Sequence, residues 1–306
     1  MAAERQRGEI AVFAALDTKG EEARYVRDLI ASRGHEPLVI DTGVVGEPAF
    51  APGVGAAEVA RAGGADLIII YNSGRYRMAG HGSLSGLLAF GDANQIVYEM
   101  GEREVLPVVK EVPVIAGVNG TDPLRQMPHF LKRLDELGFS GINNFPTVGL
   151  IDGRFRAELE ATSLGFNKEV DMIAAAHEIG FFTIVYVFNP EESERMARAG
   201  ADVVIAHMGL TVGGTIGLAR EGGVAMKLED APAKVQAIGE AAWTVNKDCL
   251  LVSHGGPIAT PDDARYVQER TDAVGFIGAS SMERLPVETA ITQTVRAFKE
   301  LPLRRR

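Results

Sequence analysis

The chain is short of cysteine, of positive charge and of long apolar runs, and each shortage closes a class of function. One cysteine, Cys249, stands among 306 residues. That excludes an intramolecular disulfide, a CxxC redox pair and a cysteine-rich zinc centre. It opens a strand-like run, CLLVSH, and is expected to be an inert core thiol. Thirty-one Lys and Arg against 41 Asp and Glu leave a net charge of −10, which argues against a nucleic-acid partner, since phosphate contacts need a basic face. The acidic total leaves the substrate open, because a local basic pocket can sit on an acidic surface. No apolar run approaches the roughly 20 residues of a membrane span, and the N-terminus has no signal-peptide core. A cytoplasmic protein with no membrane partner is expected. HxH and HExxH patterns are missing, and no lysine falls at the end of a predicted barrel strand, which counts against a Schiff-base aldolase.

Hydrophobic residues are 46% and charged ones 24%, a balance able to bury a sizeable core. Ile10–Leu16 reads as a buried strand. A helix to about Arg33 follows, opened by a Thr18/Glu21 capping box. Asp17 and Lys19 lie where strand meets helix, a place that can bind anions. Gly34 ends that helix, PLVID is a second strand, and VVGEPAFAPGVG a Pro/Gly-rich loop. A phrase then repeats: a helical pattern, a glycine to end it, a short aliphatic strand. Counting from PLVID, strands begin near 38, 67, 112, 139, 182, 203, 249 and 275. Eight βα units in roughly 250 residues predict a (β/α)8 TIM barrel with an extra N-terminal strand-helix unit. The predicted division is a β-α addition at 1–34 and a barrel at 35–306. The doubly wound alternative lacks its GxGxxG after the first strand. Longer gaps after the second, fourth and sixth strands suggest loops built up on one face.

In such a barrel the chemistry sits at the C-terminal strand ends, and these ends are polar throughout. Tyr71–Leu88, YNSGRYRMAGHGSLSGLL, follows four aliphatics and reads as a long glycine-rich binding loop carrying Arg75 and Arg77. A guanidinium there can clamp a carboxylate or phosphate. If the loop is extended, the two arginines point to opposite sides. AGVNGTDPLR supplies Asn119 and Asp122. Three roles compete for Asp122: a Mg²⁺ ligand, a partner that orients Arg125, or a helix N-cap. Asn143 and Asn144 follow at the next strand, then Asn189. His207 and His254 stand at equivalent places past four aliphatics each, fit for acid/base work, metal ligation or a phosphate contact. Of the other histidines only His81 is considered for the site. His254-Gly255-Gly256-Pro257 and Gly278-Ala279-Ser280-Ser281 fall after the seventh and eighth strands, where barrels bind phosphate through backbone N–H groups and hydroxyls.

Taken together, YNSGRYRMAGHGSLSGLL, AGVNGTDPLRQM, NNFPTVGLIDGRFR, GADVVIAHMGLT, SHGGPIATPDDA and GFIGASSMERLP resemble the phosphoenolpyruvate hydrolase-like barrel family, also labelled a predicted TIM-barrel signal-transduction family. The resemblance covers about Ala56 to Lys299. It implies a (β/α)8 barrel related to those that bind phosphoenolpyruvate and pyruvate. The segment from Ile10 to Pro52 is instead similar to the opening of the N-terminal domain of the plant antiviral-resistance protein family. It stands where the barrel family has a GAGTG-like first loop, which suggests a natural or engineered exchange over 9–50. His81 replaces the arginine of the family's MAGRGS.

The expected function is an enzyme acting on a small phosphorylated or carboxylated acid of phosphoenolpyruvate or oxoacid type, by hydrolysis or bond cleavage through an enolate. His207 and His254 would move protons, Arg75 would pair the carboxylate, and Gly255, Gly256, Gly278 and Ser280 would hold the phosphate. Mg²⁺ at Asp122 is an option. The alternatives are a ligand-sensing or protein-binding barrel without turnover and an inactive chimeric scaffold. Homo-oligomerisation is the default expectation.

Overall fold

The computed structural model describes residues 9–14, 36–41, 56–220 and 224–299, with 24, 25, 27, 28 and 31 between them. The expected capping box of Thr18 and Glu21, the anion-binding role of Asp17 and Lys19, and most of the Pro/Gly-rich loop lie outside the described residues. The chain divides into two compact units, Met1–Ile68 with Pro107–Val112, and Ile69–Leu106 with Pro113–Arg306.

In the first unit, β1 (Glu9–Ala14) pairs in parallel with β2 (Glu36–Asp41), in register from Glu9↔Glu36 to Ala14↔Asp41. Helix α1 (Ala56–Ala62) follows. The other seven predicted strands form one parallel sheet in sequence order: β3 (Ile68–Ile70), β4 (Val114–Gly117), β5 (Gly141–Asn143), β6 (Phe182–Val187), β7 (Val203–His207), β8 (Leu250–His254) and β9 (Gly275–Ile277). PLVID is thus paired with EIAVFA in a two-stranded sheet of its own, and among the described residues the large sheet has seven strands where eight were expected. The six-residue register with β1 satisfies the backbone facing that partner, as ladder pairing requires.

The strands are aliphatic because both faces of this sheet are covered. All five residues of β7, VVIAH, are buried, as are the last five of β6 and the last four of β8. Helices α4 (Met127–Leu137), α6 (Asn167–Glu178) and α7 (Pro190–Arg198) precede β5, β6 and β7. The glycines after them, Gly138, Gly180 and Gly200, have φ of +105°, +93° and +95°, a conformation L side chains rarely adopt. That is the physical basis of the repeated glycine-before-strand phrase. On α4, Phe130, Leu131 and Leu134 face the core, each burial contributing about 1.5–3 kcal/mol.

The sheet is curled in the manner of a TIM barrel. Arg77 follows β3 and Glu283 follows β9, the two outermost strands, yet their side chains form a two-pronged ion pair with N···O distances of 2.8 and 2.9 Å. Among the described residues no helix is long and apolar enough to cross a membrane.

Candidate active site

The register of β7 against β8 places His207 directly beside His254. Both side chains are buried, with ring centroids 4.6 Å apart. Tyr186 of β6 packs on both, at 5.1 and 5.0 Å, and Phe145 packs on Tyr186 at 6.0 Å and on Tyr71 at 4.4 Å. These rings floor a recess at the C-terminal strand ends. Arg77, Ser83, Ser280 and the loop residues Leu150, Leu210 and Thr211 complete its wall. The space within it open to a water-sized molecule is about 20 Å³, room for little more than one water.

The two histidines take opposite tautomers, each fixed by its partner. The Gly209 N–H donates to His207 Nδ1 at 3.0 Å, so the proton of the neutral ring sits on Nε2. His254 Nδ1 lies 2.6 Å from the Ile277 carbonyl, which only accepts, so that nitrogen carries the proton and Nε2 keeps its lone pair. Burial holds both rings neutral. His207 is pushed well below its ordinary value by burial, then by the fields of His254 and Lys234. Burial takes His254 down to about 4, with Arg77 adding to it and the Ile277 hydrogen bond opposing. One ring can give a proton and the other can take one.

Arg77 is buried beneath this pair. Burial works against its charge, but Tyr71 and the Glu283 carboxylate outweigh that and raise its pKa. Its third nitrogen donates to Ser83 Oγ at 3.3 Å. The Tyr71–Leu88 segment is therefore no extended loop. It forms helix α2 (Ser73–Met78), then a 3-10 turn at Ser83–Leu87, closed by an Asn72 Nδ2 bond to the Gly86 carbonyl at 2.9 Å. Helical spacing turns Arg75 away from the recess to pair with Glu104. Arg77, not Arg75, reaches the recess, and His81 is exposed on the surface.

The remaining expected site residues serve the scaffold. Asp122 accepts from the Leu124 N–H (2.9 Å), Asn94 Nδ2 (2.9 Å) and Arg125 Nη1 (2.6 Å). Burial pushes its pKa up, but those three donors outweigh it and hold the carboxyl below its ordinary value. Of the roles considered for it, orienting Arg125 is the one the geometry supports. Its donor set does not fit a Mg²⁺ ligand, and among the described residues no three His, Cys, Asp or Glu side chains gather to hold a metal. Asn119 Oδ1 accepts from Thr121, and its backbone is tied to Asn94. Asn143 Nδ2 donates to the Ile184 carbonyl at 2.8 Å, stapling β5 to β6.

The glycine turns pack rather than cradle. Gly256 has φ +57° and donates its N–H to the Gly209 carbonyl at 2.7 Å. A Cβ there would lie 2.3 Å from the Met208 carbonyl oxygen, and one on Gly255 2.5 Å from that of Gly209. Met282 covers Gly278. Of the residues expected to hold phosphate, only Ser280 lines the recess; Gly255, Gly256, Gly278 and Ser281 do not. Cys249 is buried and its thiol is pushed up to about 11 by burial, as an inert core thiol should be.

Sequence reasoning missed Tyr186 and Glu169, and placed Glu283 among the polar strand ends without giving it a role. Tyr186 lies within the apolar run TIVYVF, where a hydroxyl was the available signal. Glu283 neutralises Arg77. Glu169 on α6 is fully buried, accepts from Asn144 (2.7 Å) and the Val148 N–H (2.8 Å), and is raised to about 7, burial outweighing those bonds. A larger groove, about 570 Å³, runs beside Arg156 and Arg195, but both cations are already paired, Arg156 with Glu160 and Glu192.

The family model for phosphoenolpyruvate hydrolase-like proteins matches residues 41–301. The chain belongs to the phosphoenolpyruvate hydrolase-like family. The ToMV susceptible protein tm-1(GCR26) of Solanum lycopersicum is 55% identical over 262 residues, which are 84% of this chain and 34% of that protein. A putative transcriptional regulatory protein, y4pA, of Sinorhizobium fredii is 38% identical over 80% of this chain and 40% of its own length. The chain spans about a third of the length of the tomato relative. A solved putative lyase/mutase of Burkholderia cenocepacia J2315 overlaps 96% of this chain and 83% of its own, at 14% identity and a TM-score of 0.49.

Proposed function

We propose that the recess binds a small carboxylated or phosphorylated acid of phosphoenolpyruvate or oxoacid type and acts on it by proton transfer between the two histidines. The observation that carries this is the pair of buried neutral imidazoles with opposite tautomers beside a buried guanidinium. His254 Nε2 takes a proton from the substrate or from an attacking water, and His207 Nε2–H returns one to the leaving group. Arg77 and Ser280 face the acid group, and negative charge developing on an enolate oxygen is stabilised by fixed donors in a dry site. Hydrolysis and C–C or P–O cleavage are both compatible with that division of labour. A thermal-shift screen of phosphoenolpyruvate, oxaloacetate and related acids, followed by NMR of the products, tests it. Stabilisation by one acid with product accumulating is expected, and His207→Ala should abolish the product. No stabilisation by any anion would sink the acid site.

One observation favours a second function, binding without turnover: the recess is narrow and Arg77 is already neutralised by Glu283. Stabilisation without product would decide for it.

We also propose that a segment is exchanged over 9–50, a stretch that takes β1 and β2 together. What supports the exchange is the likeness of that stretch to the plant antiviral-resistance N-terminal domain and its lack of a GAGTG-like loop. A chain lacking 1–50 should keep its melting transition and anion response; loss of folding would refute the exchange. Self-association is proposed as the default state, and a monomer in sedimentation analysis would refute it.

A further inference from the structure

The recess is open to little more than one water. A three-carbon acid is several times that size, so one wall must move to admit it. Most of the wall is fixed. Tyr186, His207 and His254 lie on strands, and Arg77 is held by Glu283. Leu150 sits on a 3-10 turn whose Val148 is gripped twice, its N–H by buried Glu169 and its carbonyl by Arg156. Ser83 belongs to the turn closed by buried Asn72. The remaining wall, Leu210 and Thr211, comes from the long connection between β7 and helix α8 (Ala231–Trp243).

Within that connection Leu210–Leu218 forms a flap. Gly209 at its base has φ +103° and Gly213 has φ +89°, and the flap folds back on itself, the Gly213 N–H bonding the Leu218 carbonyl at 2.9 Å. The Val212 N–H ties it to the Gly256 carbonyl at 3.0 Å. Its other fastenings come from the start of helix α11 (Leu285–Lys299). Arg284 Nη2 donates to the Gly213 carbonyl at 3.1 Å and Nη1 to Glu288 at 3.0 Å. Glu288 accepts from the Thr215 N–H at 3.0 Å and from Thr215 Oγ at 2.8 Å. Both Glu288 bonds to Thr215 lie at the surface, where water replaces a lost partner and local opening costs little.

We propose that Leu210–Leu218 is a lid over the recess, latched shut by Glu288, and that it swings off to admit a small carboxylic or phosphorylated acid. This rests on the assignment of the recess as an acid-binding site. The lid also meets the chemistry at its base, because the Gly209 N–H is what fixes the proton of His207 on Nε2.

The test reads opening without any acid. The wild-type chain, Glu288→Ala and Thr215→Val are treated with diethylpyrocarbonate; the second variant removes only a hydroxyl from the flap and leaves α11 untouched. Peptide mass spectrometry follows modification of His207 against the exposed His81, with hydrogen exchange across 210–218 and melting temperatures alongside. In the wild type His207 should react far more slowly than His81. Glu288→Ala should raise the His207 rate and exchange within 210–218 about tenfold, and Thr215→Val less but in the same direction. Exchange in β6 and β7 should not change. Oxalate or phosphoenolpyruvate should slow His207 modification in all three proteins. Unchanged rates in both variants would overturn the latch, as would exchange rising throughout the barrel, which would make Glu288 a general support. His207 reacting as fast as His81 in the wild type would overturn the lid while leaving the acid site standing. Failure of both acids to protect His207 in any of the three would overturn the acid site and the lid's role with it, even where the flap is seen to open.

Discussion

At the ends of β4 and β5, Asn119, Asp122 and Asn144 have their side-chain oxygens engaged by one another's neighbours and by backbone N–H groups. At the ends of β7 and β8, His207 and His254 keep an N–H and a lone pair unused. The two groups look alike in sequence, as polar residues arriving just after aliphatic strands. What separates them is leftover hydrogen-bonding capacity, because a group whose donors and acceptors are already satisfied gains little from a ligand. Polar strand ends in a barrel are therefore a mixture of joinery and chemistry. Only the second kind can bind.

The comparison can be broken from either side. The largest effect is expected from His254→Gln, which keeps a polar side chain but removes the lone-pair imidazole: about 10²–10⁴-fold lower turnover of any acid that is processed, read by product NMR. A residual rate near wild type would move the chemistry elsewhere. Glu169→Ala leaves a buried Val148 N–H without an acceptor, and should lower stability by about 3 kcal/mol in urea unfolding, without altering anion affinity in the folded fraction. Asp122→Ala should cost about 1–2 kcal/mol in the same measurement. Anion binding should survive it, and loss of binding with stability intact would return Asp122 to the site.

Protonation separates the regions more gently. The folded pKa of His254, about 4, lies below the unfolded value near 6.5. Its stabilising contribution is therefore full above pH 6.5 and is lost as pH falls toward 4, because the unfolded chain binds the proton first. Glu169 has the opposite sign: raised to about 7, it favours the folded state below its ordinary pKa of 4.5 and loses that contribution as pH rises through 7. Melting curves of His254→Gln should accordingly fall less steeply than wild type between pH 6.5 and 4. The smallest effect belongs to Gly275→Ala, whose Cβ would meet Val252 at an ordinary 3.5 Å, within about ±0.5 kcal/mol. Gly256→Ala, with its positive φ and a carbonyl at 2.3 Å, should exceed that clearly.

Much of the large sheet was legible because parallel, doubly covered strands must be aliphatic and the helices before them end on left-handed glycines. VVIAH could be placed to within a residue on those grounds, and LLVSH on its aliphatic run after a Lys-Asp turn. His207 and His254 were legible too, since equal distance from equivalent strand starts brings them level. Arg75 was misjudged because its outward direction depends on whether the segment is extended or helical, and glycine content does not decide that. The glycine turns after β8 and β9 were misjudged for a different reason. A glycine required by a carbonyl packed against it looks in sequence the same as one left bare for phosphate.

The residue order alone determined the parallel αβ succession, the absence of a disulfide, the acidic surface and the row of polar strand ends, since each follows from local pattern or from counting. Tertiary structure decided that PLVID pairs with EIAVFA, that Arg77 meets Glu283 across 206 positions, and that Tyr186 packs on both His207 and His254. Those outcomes depend on which atoms distant strands bring within about 3 Å of each other, the range over which a hydrogen bond is made or missed.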